Sequence, residues 1–409
     1  MASAPRVLVV GQHFWPEGFR INDICDYFVE QGVQVEVLCG LPNYPKGEFF
    51  PGYSLRGPYK QEHGGIQIRR VPEIKRGSNS NLRIFLNYMS FPVMSLLHLP
   101  RLLFRRFDRI FIYQLSPVMM AWTGIVLGWL TRTTTVMYVL DLWPENLFSV
   151  LHVKTPWLRK FATGVSHWHY RRVDRIVVLS ELMRDRLAEV TGKAKDEIEV
   201  VPQACEKFYE ETVVSAELQE SLGGKFTAVF TGNISPAQSF VTIIDAAEQL
   251  EAEGLDIRWL IVGDGMSRSD VEDQVRARGL EHVFRFEGHH PATEMPKYFG
   301  SASVLVGCLV QSDLLEATIP AKVLSYIAGG RPLVLAMDGD VKKLVEDEAK
   351  CGFVGPAGDS AAFAANLRTV YNLSETERRS MGERGRKYHF EHLERNKVLA
   401  RLTDFIMRG

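Results

Sequence analysis

Cysteine is scarce and unpatterned: Cys25, Cys39, Cys205, Cys308 and Cys351 are all that 409 residues contain. Their odd number and the lack of any C-x-x-C pair argue for reduced thiols, and against a disulfide frame or a zinc site. Also missing is an uninterrupted run of about 20 apolar residues, so a membrane-spanning helix is not expected. Met1 to Val10 passes straight into a strand-like segment, and no signal peptide is expected. Short-period repeats and low-complexity tracts are absent. The net charge is only −1, but that value hides a division along the chain. Lys and Arg outnumber Asp and Glu by 25 to 18 over residues 1–205, and are outnumbered 23 to 31 over the rest. A basic N-terminal half fits anionic partners.

What is present is a rhythm of short apolar strands and helical patterns. "RVLVVGQHF" reads as a buried parallel strand entering a glycine turn, and "INDICDYFVEQG" as an amphipathic helix ended by Gly32. "VQVEVLCG", "IQIRRVP", "DRIFIYQ", "TTVMYVLDLWP" and "DRIVVLS" continue the alternation that marks an open parallel α/β sheet. After a break the pattern restarts with "FTAVFTGNIS", "IRWLIVGDG", "VFRFEGHH", "SVLVGCLV", "PLVLAM" and "GFVGPA". The fold class is therefore α/β, with two Rossmann-like domains. We place the first at residues 1–203, the second at 204–385, and a helix over 386–409 packing back on the first. "VGDGMSRSD" lacks the third glycine of G-x-G-x-x-G, having Arg268 instead, which disfavours a nicotinamide enzyme.

In open α/β sheets, ligands bind beyond the carboxyl ends of strands. In the first domain those loops carry His13, Glu17, Asp141 and Glu145; each can orient or deprotonate a hydroxyl, and Asp141 could instead cap a helix near Pro144. In the second, "LLEATIPAKVLSYIAGGRPLV" reads as a helix with Thr318 as N-cap, Pro320 in the first turn and Gly329-Gly330 as the left-handed stop. Its N-terminus and Lys322 suit a diphosphate, Glu316 sugar hydroxyls and Ser325 a ribose. The alternative is a dipole-complementing Glu316 and a solvated Lys322.

Residues 82–106, "LRIFLNYMSFPVMSLLHLPRLLFRR", mix large apolar side chains with Arg83, Arg101, Arg105 and Arg106, and Pro92 and Pro100 interrupt the run. An interfacial segment and an ordinary core helix with a basic rim both fit. Arg69, Arg70, Lys75 and Arg76 lie just upstream and favour the membrane slightly. "MMAWTGIVLGWL" is too short to span and reads as a buried helix. No nucleic-acid module is recognisable.

"FRIND", "GLPNYPKGEFFPGY", "VLDLWPENL", "VVPQACEKFY", "FTGNISPAQSF", "WLIVGDG", "EMPKYF" and "TIPAKVLSYIAGGRPLV" occur in order over nearly the whole chain. With them the sequence resembles the family 4 retaining glycosyltransferases, specifically the N-acetylfucosamine-type (WbuB-like) branch of bacterial O-antigen and capsule assembly. The resemblance implies a GT-B architecture, with two Rossmann-like domains facing an interdomain cleft, and no obligatory metal or cofactor. It implies transfer of a sugar, an N-acetylated amino sugar by this branch, from a UDP-sugar to a polyprenyl-diphosphate-linked glycan. The enzyme would work as a peripheral protein on the cytoplasmic face of an anionic membrane, with no nucleic-acid partner.

On this reading Asp141, His13, Glu17 and Lys322 form the catalytic set. Gly18, Asn233, Gln238, His289, Glu316, Thr318, Ile319 and Ser325 meet the donor, and Arg20, Arg101, Arg105 and Arg106 meet the acceptor or membrane. The sequence departs from the wider family where two glutamates stand eight apart, here Ala317 and Ser325, and where many relatives have a glycine and sometimes a basic residue, here Ser235 and Pro236. Much of the family has a histidine at the position of Asp141. A UDP-sugar epimerase of the same fold and a non-catalytic UDP-sugar-binding scaffold are the alternatives.

Overall fold

The computed structural model describes residues 4–77, 81–144, 155–211 and 213–408. Glu145, one of the strand-end carboxylates named above, lies outside them. The chain divides into two compact units, residues 1–201 with 399–409, and residues 202–398.

The first unit is built on an eight-stranded sheet with the order β3-β4-β2-β1-β5-β6-β7-β8. These strands are Arg6–Val10, Gln34–Cys39, Lys60–His63, Ile66–Arg70, Arg109–Gln114, Thr135–Val139, Arg175–Val178 and Ile198–Val200 for β1, β2, β3, β4, β5, β6, β7 and β8. All pairs are parallel except the antiparallel β3 and β4. Central strands β1, β5 and β6 are buried almost throughout, as largely apolar runs covered on both faces must be. β3, "KQEH", has no apolar alternation to announce it, and it forms by pairing its backbone with β4 at the sheet edge.

Helix Asn81–Leu96 runs through Pro92 instead of breaking there. Phe91 and Ser95 beside it are fully buried, and that packing carries the helix across the missing N–H. Pro100 falls in the first turn of helix Leu99–Leu103, where no N–H is needed. No helix among the described residues is long and apolar enough to cross a membrane.

Helix Arg395–Met407 begins in the second unit, and the chain re-enters the first at Leu399, thirteen residues later than the boundary read from sequence. The helix pattern there starts well before the point where side chains change partners. Leu402, Phe405 and Ile406 are buried, and Arg109 and Arg175 donate to the carbonyls of Ile406 and Arg408 at 3.0 and 2.9 Å. Two guanidinium groups thus satisfy and neutralise the C-terminal end of the helix.

The second unit holds a six-stranded, wholly parallel sheet in the order β11-β10-β9-β12-β13-β14. Its strands β9 to β14 are Phe226–Thr231, Ile257–Val262, Phe284–Gly288, Val304–Cys308, Leu333–Ala336 and Gly352–Gly355. Separate hydrophobic clusters cover the two faces, one around Phe230, Trp259 and Phe363, the other around Leu260, Tyr326 and Leu335.

Candidate functional site

In each unit the strand order reverses once beside its first strand, between β1 and β5 and between β9 and β12. The loops leaving those strands bound the crevice in which doubly wound sheets take their ligands.

In the second unit, Lys322 is the second residue of helix Ala321–Gly329, which follows β12. Its ammonium donates to Gln238 Oε1, on the loop after β9, and lies 4.0 Å from the centre of the Phe230 ring. Val310 N donates to Ala237 O at 3.0 Å, tying the same two loops across the switch point. Among the described residues Lys322 has no carboxylate partner, and burial pushes its pKa down to about 7. Gly232 presents bare backbone to the ammonium; a Cβ there would stand 3.4 Å from Nζ, at a φ of +131° that side chains avoid. Lys322, the helix N-terminus and accessible backbone thus converge, and their charges complement an anion.

Further contacts hold this arrangement. Tyr326, one turn after Lys322, accepts the N–H of Thr231 at 2.8 Å and fixes the helix under the end of β9. The glycines of "VGDG" are packing residues: a Cβ on Gly263 would meet Gly232 O at 1.9 Å, and one on Gly265 would meet Ile234 O at 2.2 Å and Asn233 Oδ1 at 2.4 Å. Asn233 and His289 are exposed on the loops after β9 and β11. Glu316 is half-buried at the end of helix Asp313–Glu316, its carbonyl pressed by Gly339, where a Cβ would lie 2.0 Å away.

Two local expectations require correction. Thr318 is not the N-cap: Pro320 occupies that position without a side-chain bond, and Thr318 Oγ1 donates back to Leu315 O at 3.3 Å. The short helix ending at Glu316 captures Thr318 before the next helix begins. Ser325 is buried, and its hydroxyl donates to Ala321 O at 3.2 Å inside its own helix, so in this conformation it is turned away from any ribose. Ile319 packs on the core beside that helix.

In the first unit, His13 Nδ1 and Glu17 Oε2 are 3.0 Å apart and both side chains are buried. Glu17 Oε1 also accepts the N–H groups of Asn43 and Tyr44 at 2.8 and 2.7 Å, and His13 stacks on Phe19 with centroids 4.6 Å apart. Glu17 therefore acts on the loop after β2 and on His13, and its two oxygens are already committed. The bonding continues inward: Asn87 donates to Asn43 Oδ1 at 3.4 Å and to Glu73 Oε1 at 2.6 Å, and Gln12 donates to the same Glu73 oxygen at 2.6 Å. Burial pushes Glu73 up to about 8. Gly18 is exposed, with nothing within 4 Å of a would-be Cβ.

Asp141 follows β6, and its Oδ2 accepts from Ser116 N and Oγ at 3.1 and 3.0 Å. Trp143 Nε1 donates to the same serine hydroxyl at 3.0 Å. Burial raises the Asp141 carboxyl and the two serine bonds oppose that rise. Arg20 and Asp141 both act electrostatically on the Tyr113 phenol, which places them around the end of β5. Ser116, Glu73, Asn87 and Tyr326 were missed from sequence; lone polar residues in apolar segments were the only signal.

The arginines divide. Arg105 pairs at 2.5 Å with Glu36, a buried carboxylate that also takes Arg6 at 2.8 Å and Arg69. It is thereby removed from the lipid-facing set, as is Arg69. Arg70 is fully buried and donates to Gly40 O at 3.1 Å and to Trp15 O, because strand alternation turns it inward. Lys75 pairs with Glu48. Arg101 and Arg106 are exposed, with Phe104 between them.

Comparison with known proteins places this geometry in a class. Residues 18–204 match the "Glycosyl transferase 4-like domain" family and residues 225–372 match "Glycosyl transferases group 1". Both matches are to glycosyltransferase domains and together they span most of the chain, and its fold is GT-B, α/β with two Rossmann-like domains. It is 30% identical over 201 residues to a 2-deoxystreptamine glucosyltransferase of Streptomyces kanamyceticus, covering 44% of this chain and 52% of that protein. It is 24% identical over 221 residues to the putative colanic acid biosynthesis glycosyltransferase WcaL of Salmonella typhimurium, covering 53% and 52%. The chain thus spans about half the length of the curated relatives it matches. Among solved structures, Anabaena Alr3699/HepE in complex with UDP gives a TM-score of 0.71 at 14% identity, covering 98% of both chains. A trehalose-6-phosphate protein of E. coli bound with UDP-2-fluoro glucose gives 0.72 at 13%, covering 99% of both.

Proposed function

We propose that the protein transfers a sugar from a UDP-sugar to a hydroxyl of a lipid-linked glycan in surface polysaccharide assembly, with retention of configuration. The observation that carries the reading is Lys322: a half-buried ammonium without a carboxylate partner among the described residues, at a helix N-terminus, beside the bare backbone of Gly232. A departing diphosphate supplies the missing counter-charge, and preorganised donors of this kind stabilise the leaving group without reorganising. The UDP and UDP-sugar in the related structures support a uridine donor. Two glycosyltransferase domain matches support the reaction class.

Gln238, Asn233, His289 and the Gly232 backbone surround the donor in this proposal, with Glu316 and Ile319 at the helix entry. Asp141, held by Ser116, and His13, held by Glu17, orient the sugar and the acceptor hydroxyl. Neither needs to act as a nucleophile: in front-face retention the departing phosphate oxygen takes the proton of the incoming hydroxyl as the new glycosidic bond forms. Arg20 lies at the acceptor side, and Arg101 and Arg106 with Phe104 approach an anionic membrane.

The test is product analysis with a panel of UDP-sugars, with and without polyprenyl-diphosphate-linked glycans. A new glycolipid with retained configuration is the expected result. An epimerised donor formed without acceptor, or tight UDP binding without turnover on any acceptor, overturns the proposal.

A further inference from the structure

A cavity of about 640 Å³ lies in the first unit, at the opposite end of the sheet from Asp141. Thr135, the first residue of β6, lines it, whereas Asp141 lies beyond the other end of the strand, six residues on and up to about 20 Å away at roughly 3.3 Å per residue. Its rim carries two tryptophans, Trp129 and Trp168, and two arginines, Arg132 and Arg172. Trp129 is 75% exposed. Arg172 lies over the Trp168 ring, 5.8 Å from its centre. Neither arginine has an ion-pair partner among the described residues. Asp174 also lines the cavity, but its Oδ2 is already occupied by the N–H and hydroxyl of Thr135 at 2.7 and 2.8 Å.

Arg132 is placed at some conformational cost. It ends helix Trp122–Thr131 in the left-handed region, φ +57°, where glycine is the usual residue. The helix dipole favours a cation at this end, but the left-handed backbone suits glycine better than arginine.

The surroundings have the same character. Helices Asn81–Leu96, Leu99–Leu103, Trp122–Thr131 and Pro156–Arg172 pack together as one layer. That layer leaves Phe104 at 92%, Trp157 at 71% and Phe161 at 64% exposed. Between residues 74 and 174 the sequence has 13 Lys and Arg against four acids, Asp108, Asp141, Glu145 and the Asp174 already described. Exposed aromatic rings interleaved with basic groups, and almost no carboxylates, are complementary to a bilayer interface bearing negative headgroups.

We infer that this helical layer docks on an anionic bilayer, and that the Trp129, Trp168, Arg132 and Arg172 cavity seats a lipid phosphate headgroup, separately from the candidate catalytic site. The inference rests on the reading that the protein works at a membrane. It adds a headgroup site and the face that carries it.

The experiment is vesicle flotation with phosphatidylcholine alone and with about a third phosphatidylglycerol, for the full chain and for the double variant Arg132→Gly, Arg172→Gln. Glycine keeps the left-handed cap, so the variant is expected to fold, with unchanged melting and UDP binding. Each basic group near an anionic surface is worth about a fivefold gain in affinity, so the double variant should bind the phosphatidylglycerol vesicles about 30-fold more weakly. Trp129→Ala should weaken the same binding, and transfer to a water-soluble acceptor should be unchanged in every variant. Equal binding of wild type to both vesicle types, no binding to either, or undiminished binding by a folded double variant overturns the inference. Loss of all transfer activity with flotation intact would remove the transferase reading and leave the headgroup site standing.

Discussion

The two units share one architecture and treat polar groups at their strand ends in opposite ways. In the first, Gln12, His13, Glu17, Asn43, Glu73 and Asn87 bond mainly to one another, with Gln12 Oε1 and Glu73 Oε2 left without a partner among the described residues. In the second, Lys322 stands with a single amide partner and no counter-charge among the described residues. A network bonded mainly to itself positions; an open charge binds. In the proposed function the first unit aligns loops and the second takes the anion, and the contrast extends to protonation. Burial raises Glu73 to about 8 and lowers Lys322 to about 7.

The largest effect should come from breaking the open side. Lys322→Met is expected to reduce turnover about 100-fold or more, the scale for losing one preorganised donor. Its melting temperature should hold or rise. A lysine depressed on folding binds fewer protons in the native state, so its penalty is full below about pH 7 and fades toward the unfolded value of 10.5. Methionine removes that penalty at neutral pH. Parallel losses of turnover and stability would contradict the assignment.

On the networked side, Glu17→Ala leaves the N–H groups of Asn43 and Tyr44 unmatched. It should cost about 3 kcal/mol in denaturant unfolding, taking one to three for each buried donor. UDP affinity should be untouched, and a fall as large as that for Lys322→Met would erase the distinction between the units.

Glu73→Gln sharpens the comparison through pH. A carboxyl raised on folding holds its proton in the native state, so its contribution is present below pH 4.5 and lost as pH rises through about 8. Wild type should lose stability across that window, and the glutamine variant should lose less. Identical pH slopes would show that Glu73 does not titrate there.

The smallest effect is expected at Ser325→Ala, where among the described residues the hydroxyl serves Ala321 O alone. UDP affinity should change less than about twofold, well under the 1.4 kcal/mol that a tenfold change represents. A tenfold loss would show that the serine turns toward the ligand.

Much of this was legible in the sequence. The apolar runs of β1, β5 and β9 and the glycine stop at Gly330, φ +67°, are local signals with local outcomes. Lys322 could be singled out because helix-forming rules did not require it. What stayed hidden depends on partners distant in sequence. Arg105 resembles Arg101 and Arg106 until the fold brings Glu36 beside it, and β3 exists only because β4 offers it an edge. Thr318 satisfied a capping rule but was taken by the preceding turn, and Ser325 followed the helix-interior habit of serine.

The most direct test of the central claim is calorimetry of UDP binding to wild type and Lys322→Met at about pH 8.5, in buffers of differing ionisation enthalpy. With Lys322 mostly neutral before binding and charged against the diphosphate afterwards, wild type should take up close to one proton and the variant none, with weaker affinity. Equal affinity and equal proton uptake in the two proteins would mean that the phosphates sit elsewhere.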